Sequence, residues 1–232
     1  LARALAVEPR LLLLDEPFTA LDGPTRRELG AQVRRIHDER GIPVLLVTHD
    51  RDEAFALADR IAVIDQGRIL QISSREDAFA RPLSRRVAEL VGIENVLPAI
   101  VRGVTPNALT VEWGATALTV RGDHAALDPA PGQRLDLAIA ASQLLVLKDD
   151  LPLGETSGPD EEGRANVIEV RAAQTEMARD TVRMELLPIR PPSTTALQLE
   201  LPAYVYYRLG LDSRANFAVQ LKPEWLHPMA SS

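Results

Sequence analysis

Three unbroken aliphatic runs constrain the first third of this 232-residue chain more than any other feature: Leu11-Leu12-Leu13-Leu14, Val44-Leu45-Leu46-Val47 and Ile61-Ala62-Val63-Ile64. A half-buried strand alternates apolar and polar residues, so continuous apolar character predicts strands covered on both faces, as in a parallel sheet. Between the first two runs, Leu29, Val33 and Ile36 stand at i, i+4 and i+7, one face of a helix over 24–40. Pro24 suits its first turn and Gly41 the position after its last. Between the second and third runs, Asp50 with Glu53 three residues later predicts a capping box that opens a second helix. The order β-α-β-α-β predicts a parallel α/β arrangement for residues 1–72.

The rest follows a different rule. Residues 73–94 read as connecting helices broken at Pro82. From residue 95 onward, short alternating runs such as Leu109–Trp113 and Ala117–Arg121 are separated by Gly, Pro and Asn turns, which predicts an all-β barrel or sandwich over 95–232. Asn95-Val96 and Asn166-Val167 open two similar segments, which end on the apolar strands 135–139 and 217–221. This points to two copies, 95–150 and 165–232, with a Gly-, Pro- and acid-rich linker over 151–164. Aromatic residues make up only 4%, so Leu, Val, Ile and Ala carry the packing. The net charge of −7 argues against nucleic acid as a partner, since neutralising phosphates takes clustered Lys and Arg. With no cysteine, disulfides and thiolate metal sites are excluded. No apolar run approaches the roughly 18–20 residues that span a bilayer. The chain opens directly on Leu1-Ala2-Arg3-Ala4-Leu5, and the simplest expectation is that its start has been cut away.

The first aliphatic run ends on Asp15-Glu16-Pro17. A parallel strand delivers its last residues to the carboxyl edge of the sheet, where ligands bind in open α/β folds. Adjacent carboxylates there repel unless positive charge lies beside them, and Mg²⁺ on nucleotide phosphates supplies it. Asp15 can then hold Mg²⁺, directly or through its water, while Glu16 orients an attacking water. The second run ends on Thr48-His49-Asp50. If the strands are neighbours, His49 lies at the same edge, within reach of a γ-phosphate and of the catalytic carboxylate.

In this order and spacing, residues 1–72 resemble the nucleotide-binding domain of ABC transporters, a partial P-loop NTPase fold. Leu11–Pro17 resembles the Walker B segment with catalytic Glu16, Thr19–Asp22 the D-loop, and His49 the switch histidine. Leu1–Leu5 resembles the helix after the family's Ser-Gly-Gly signature. Asp52-Glu53-Ala54, Ala58–Ile61 and Gly67-Arg68-Ile69 match how importer ATPases continue. The resemblance implies catalytic roles for Glu16 and His49, nucleotide contacts by Asp15 and Asp22, and ATP with Mg²⁺ as cofactors. It also implies a homodimer of ATPase subunits on membrane permease subunits, served indirectly by a solute-binding protein, at the cytoplasmic face of the plasma membrane.

The 232 residues contain no Gly-x-x-x-x-Gly-Lys-Ser/Thr phosphate loop and no signature motif, so these residues alone are expected not to hydrolyse ATP. Residues 95–232 resemble the oligomer-binding-like (TOBE) regulatory domains of importer ATPases, in the pieces Ile93–Pro98 and Lys222–His227. In molybdate-binding relatives a pocket lined by Ser, Thr and Lys holds the anion. Ser142 and Lys222 are the candidates here, although Ile139-Ala140-Ala141 puts no Lys beside Ser142. The resemblance thus points to an importer ATPase for an oxyanion such as molybdate or sulfate. Iron(III), polyamine or sugar import, a repair or translation ATPase, and a ligand-sensing module with a remnant ATPase part are the alternatives.

Overall fold

The computed structural model describes residues 9–124, 127–147, 165–190, 192–193 and 195–231. The Leu1–Leu5 segment and the 151–164 linker therefore lie outside the described residues. Two compact units emerge. One is the described part of Leu1–Ala62 with Ile72–Arg75, the other Val63–Gln71 with Glu76–Ser232.

In the first unit, strands β1 (Leu12–Asp15) and β2 (Val44–Val47) pair in parallel, from Leu12 opposite Val44 to Asp15 opposite Val47. Helix α1 (Gly23–Arg40) carries the chain between them. The Asp22 carboxylate caps it by accepting from the Thr25 N–H at 2.9 Å, and Pro24 sits in the first turn, where no N–H is needed. Gly41 ends it at φ 62°, a left-handed conformation in which a side chain is strained, and donates its N–H to the His37 carbonyl. Helix α2 (Arg51–Leu57) starts on Asp50, whose carboxylate accepts from the Asp52 and Glu53 N–H groups. The reciprocal half of the expected capping box does not form. The Asp50 N–H donates to Thr48 Oγ1, and Glu53 accepts instead from the Thr48 hydroxyl at 2.7 Å.

Two expectations for this unit need correction. Both faces of the strands were expected to be covered, yet burial alternates along them. Leu12 is 2% exposed, whereas Leu13, Leu45 and Val47 are 64%, 59% and 52% exposed. A sheet of two strands covered on one side buries every second residue, whatever the apolarity of the run. The third run also does not extend the parallel sheet. β3 (Arg60–Asp65) pairs with β4 (Arg68–Ser74) as a separate two-stranded hairpin. Gln66 and Gly67 both take positive φ, 48° and 75°, the backbone of a two-residue hairpin turn.

The second unit continues through α3 (Arg75–Ala80) and α4 (Arg85–Val91), parted at Pro82. Arg85 makes a bidentate pair with Asp136, whose carboxylate is buried. Two five-stranded antiparallel sheets follow. The first contains β5 (Asn95–Thr105), β6 (Ala108–Trp113), β7 (Thr116–Arg121) and β8 (Arg134–Ile139). The second contains β10 (Val167–Met177), β11 (Thr181–Arg190), β12 (Leu197–Pro202) and β13 (Asn216–Gln220), with the short α5 (Ala203–Arg208) after β12. The fifth strands are exchanged. β9 (Leu145–Val146) follows β8 but pairs with β13, and β14 (His227–Ala230) follows β13 but pairs with β8. The orders β7-β6-β5-β8-β14 and β12-β11-β10-β13-β9 therefore match strand for strand.

Equivalent asparagines lock the two sheets together. Asn95 donates to the Gln198 carbonyl on β12 and accepts from the Gln198 N–H, at 2.9 and 2.7 Å. Asn166 does the same to Thr119 on β7, at 2.7 Å each way, and donates further to the Leu221 carbonyl. One core fills the space between the sheets, with Leu97, Val111, Trp113 and Leu137 from the first and Ile168, Leu186, Leu199 and Val219 from the second.

Candidate active site

The parallel register carries Asp15 and the loop after Val47 to one edge of the sheet, and the Glu16 N–H donates to the Val47 carbonyl at 2.9 Å. Glu16 lies just past the strand at φ 46°, a left-handed conformation that costs a non-glycine residue about 1–3 kcal/mol and persists where its surroundings hold it. Its carboxylate is held on both oxygens. His49 Nδ1 lies 2.8 Å from Oε1, and the Thr19 hydroxyl donates to Oε2 at 2.9 Å. These hydrogen bonds, from His49 first and Thr19 second, hold the Glu16 carboxyl below the usual carboxylate range. Reciprocally, the hydrogen bond to Glu16 and the negative charge of Glu16 hold the His49 imidazole above its ordinary value.

Of the residues the sequence nominated, Glu16 and His49 are thus in contact, and Asp15 adjoins them as an exposed carboxylate at the end of β1. Asp22 stands apart as the cap of α1, with its carboxyl lowered by the Thr25 hydrogen bond. Among the described residues no cluster of three or more His, Cys, Asp or Glu could hold a metal. Asp15 offers one hard oxygen donor group. That suits Mg²⁺, which takes one or two carboxylates from a protein when phosphates and waters complete its shell.

Sequence reasoning named Asp50 and Glu53 as a helix cap but passed over Arg26, which joins them to the first loop. The Arg26 guanidinium, in the first turn of α1, donates to the Asp50 carboxylate at 2.9 Å and to the Leu21 carbonyl at 3.2 Å, and its Nε lies 3.5 Å from Glu53 Oε1. Glu53 is buried and in turn holds Thr48. The signal for Glu53 was its place in the cap of α2; nothing local in the sequence marks Arg26.

Ser142 and Lys222 are not brought together. Ser142 is exposed in a 3₁₀ turn, Ala141–Gln143, that packs against β12 and is pinned where the Ala141 N–H donates to Glu94. Lys222 lies with its ammonium 4.5 Å from the Trp225 ring centroid, in a turn held against β7 where the Arg121 N–H donates to the Pro223 carbonyl. Asn95 faces Ile139 as Asn166 faces Leu221, so the position equivalent to Ser142 is Glu224 and the position equivalent to Lys222 is Ala140. Neither turn combines a hydroxyl with a cation at these positions.

Comparison with known proteins gives a consistent answer. The chain is 45% identical over 141 residues to a sulfate/thiosulfate import ATP-binding protein (CysA) of Xylella fastidiosa strain 9a5c, covering 57% of this chain and 40% of the relative. It is 42% identical over 159 residues to a spermidine/putrescine import ATP-binding protein (PotA) of Methylococcus capsulatus, covering 68% and 40%. It is 37% identical over 202 residues to a CysA protein of Rhodopseudomonas palustris, covering 87% and 51%. The chain thus spans about half or less of the length of these relatives. No family model matches it. Among solved structures, the cytoplasmic molybdate-binding protein ModG overlaps 60% of this chain and 97% of its own, with a TM-score of 0.49 and 15% identity. By sequence, the homologues of this chain are the import ATP-binding proteins of ABC transporters.

Proposed function

We propose that this chain supplies the hydrolytic half of an ATP site in the energy-coupling subunit of an ABC importer. One observation carries the reading: the Glu16 carboxylate, held by His49 at 2.8 Å, beside Asp15 at the carboxyl edge of a parallel strand pair. Glu16 orients the attacking water and polarises it. His49 gives Nδ1 to Glu16, which leaves Nε2 as the ring nitrogen that meets the γ-phosphate. Asp15 would hold Mg²⁺, which when bound would neutralise charge on the phosphates. Gripping those phosphates takes the backbone N–H groups and lysine of a Gly-x-x-x-x-Gly-Lys-Ser/Thr loop, a motif these 232 residues do not contain, so they turn over no ATP unaided.

The test is a pair of proteins. The 232 residues alone are expected to show no ATPase above background. The same residues, joined to an upstream segment that carries the phosphate loop and signature motif they lack, are expected to hydrolyse ATP, and Glu16→Gln to abolish it. Hydrolysis by the joined protein that survives Glu16→Gln defeats the reading.

For the cargo we infer an oxyanion of the sulfate type, supported by the named substrates of the Xylella and Rhodopseudomonas relatives. A polyamine is the second reading, supported by the Methylococcus relative. Uptake of labelled sulfate against labelled putrescine, in cells lacking their own importer ATPases, separates the two. The subunit works as a homodimer docked on permease subunits at the cytoplasmic face of the membrane. Among the described residues no helix is long and apolar enough to cross a membrane.

A further inference from the structure

We propose that Arg26 is a positioning residue for the Glu16–His49 pair, acting as a tie between the two loops that carry them; this rests on the hydrolytic reading of that pair. Glu16 opens a loop that ends at Leu21 and the Asp22 cap of α1, and Thr19 of that loop grips Glu16 Oε2. His49 sits in a second loop that ends at the Asp50 cap of α2. The two loops come from different strands, and their relative placement sets the 2.8 Å separation between His49 and Glu16. The Arg26 guanidinium contacts both. It donates to the Leu21 carbonyl of the first loop and to the Asp50 carboxylate of the second, while its Nε faces Glu53. Glu53 passes the restraint on, because it accepts from Thr48, the residue before His49, and Thr48 accepts from the Asp50 N–H. A planar guanidinium directs its two hydrogen bonds, to Leu21 and Asp50, along fixed directions and sets Nε in an ion pair with Glu53 at 3.5 Å without a hydrogen bond, whereas an ammonium acts as a point charge. Arg26 touches neither Glu16 nor His49, so its effect on chemistry passes through geometry.

A plain stabilising ion pair would behave differently, and the same helix offers the control. Arg34 ties α1 to the end of α2 through Asp59 at 2.8 Å and the Leu57 carbonyl at 3.2 Å, by contacts that involve neither loop. The first experiment uses the 232-residue chain and reads the ¹⁵N signals of the His49 ring, with Glu16→Gln as the reference for the broken pair. Arg26→Gln is expected to move the His49 signals toward that reference, Arg34→Gln to leave them at the wild-type position, and Arg26→Lys to fall between. Should Arg26→Gln fail to fold, Thr48→Val, which removes the hydroxyl linking Glu53 to the second loop, makes the same comparison. The second experiment uses the joined protein described above. There Arg26→Gln is expected to lower kcat by about tenfold to a hundredfold, the scale of a 1 Å misplacement, with KM for ATP nearly unchanged. If Arg26→Gln leaves the His49 signals where Arg34→Gln leaves them, the proposal is overturned. If the signals move as expected but the joined protein shows no Glu16-dependent hydrolysis, the hydrolytic reading fails while the tie stands as a structural fact.

Discussion

The Glu16–His49 contact is the residue-scale feature with the clearest pH signature. The His49 pKa is raised by its partner, so its contribution is complete below its ordinary value of 6.5 and is lost as pH rises through the raised value. The Glu16 pKa is lowered, so its contribution is present above its ordinary value of 4.5 and is lost as pH falls through the lowered value. The ionised pair therefore holds in full between these ordinary values and weakens on either side. An NMR titration of the 232-residue chain is expected to place the His49 midpoint above 6.5. Glu16→Gln should return it toward about 6.5; an unchanged midpoint would mean that the contact does not persist in solution. Both groups lie at the surface, so salt should shrink the shift.

At the scale of elements, the caps are predictable from single residues because each answers a local geometric demand. Asp22 satisfies the Thr25 N–H, and Asp22→Ala is expected to cost about 1 kcal/mol of helix stability, read by urea unfolding. Gly41 is required by its positive φ. A methyl group at that position would meet nothing within 4 Å, so Gly41→Ala should cost about 1 kcal/mol through backbone strain alone. The alternating burial of β1 and β2 shows the limit of such reading. Leu11–Leu14 has the composition of a strand covered twice, yet the register and the single covered face leave Leu13 and Leu45 side by side in solvent. Apolarity states what a strand tolerates; the neighbours present decide what it buries. The same limit appears at β3, where Gln66-Gly67 overrode the parallel assignment by turning the chain back on itself.

At the scale of the whole chain, the two five-stranded sheets are joined by exchanged strands and by two buried asparagines. Asn95 and Asn166 are buried, and each closes hydrogen bonds that no neighbour in its own strand could supply. Replacing either with Ala leaves backbone groups of the opposite sheet unpaired, at an expected cost of about 1–3 kcal/mol. The larger loss is expected from Arg85→Ala. Asp136 is 1% exposed, and without its bidentate partner a buried charge is left uncompensated, a situation that costs about 3–5 kcal/mol. Thermal unfolding should rank Arg85→Ala below Asn95→Ala; the reverse order would mean that Asp136 finds another partner.

Local sequence encodes helix α1 between its Asp22 cap and Gly41, the break at Pro82, four strands of the β-rich part over 109–113, 117–121, 135–139 and 217–221, and the acids and histidine placed at two strand ends. Each rests on local physics, such as capping, fixed φ, side-chain period or charge placed at a strand end. The tertiary structure alone decided which strands became neighbours. It set Glu16 against His49 across 33 positions of chain, recruited Arg26 to tie their loops, and sent β9 and β14 each to the other sheet. It also put Ser142 and Lys222 in non-equivalent places of two separate turns. Hydrogen bonds and ion pairs of this kind join residues distant in sequence, so their partners are fixed only when the core that carries both has formed.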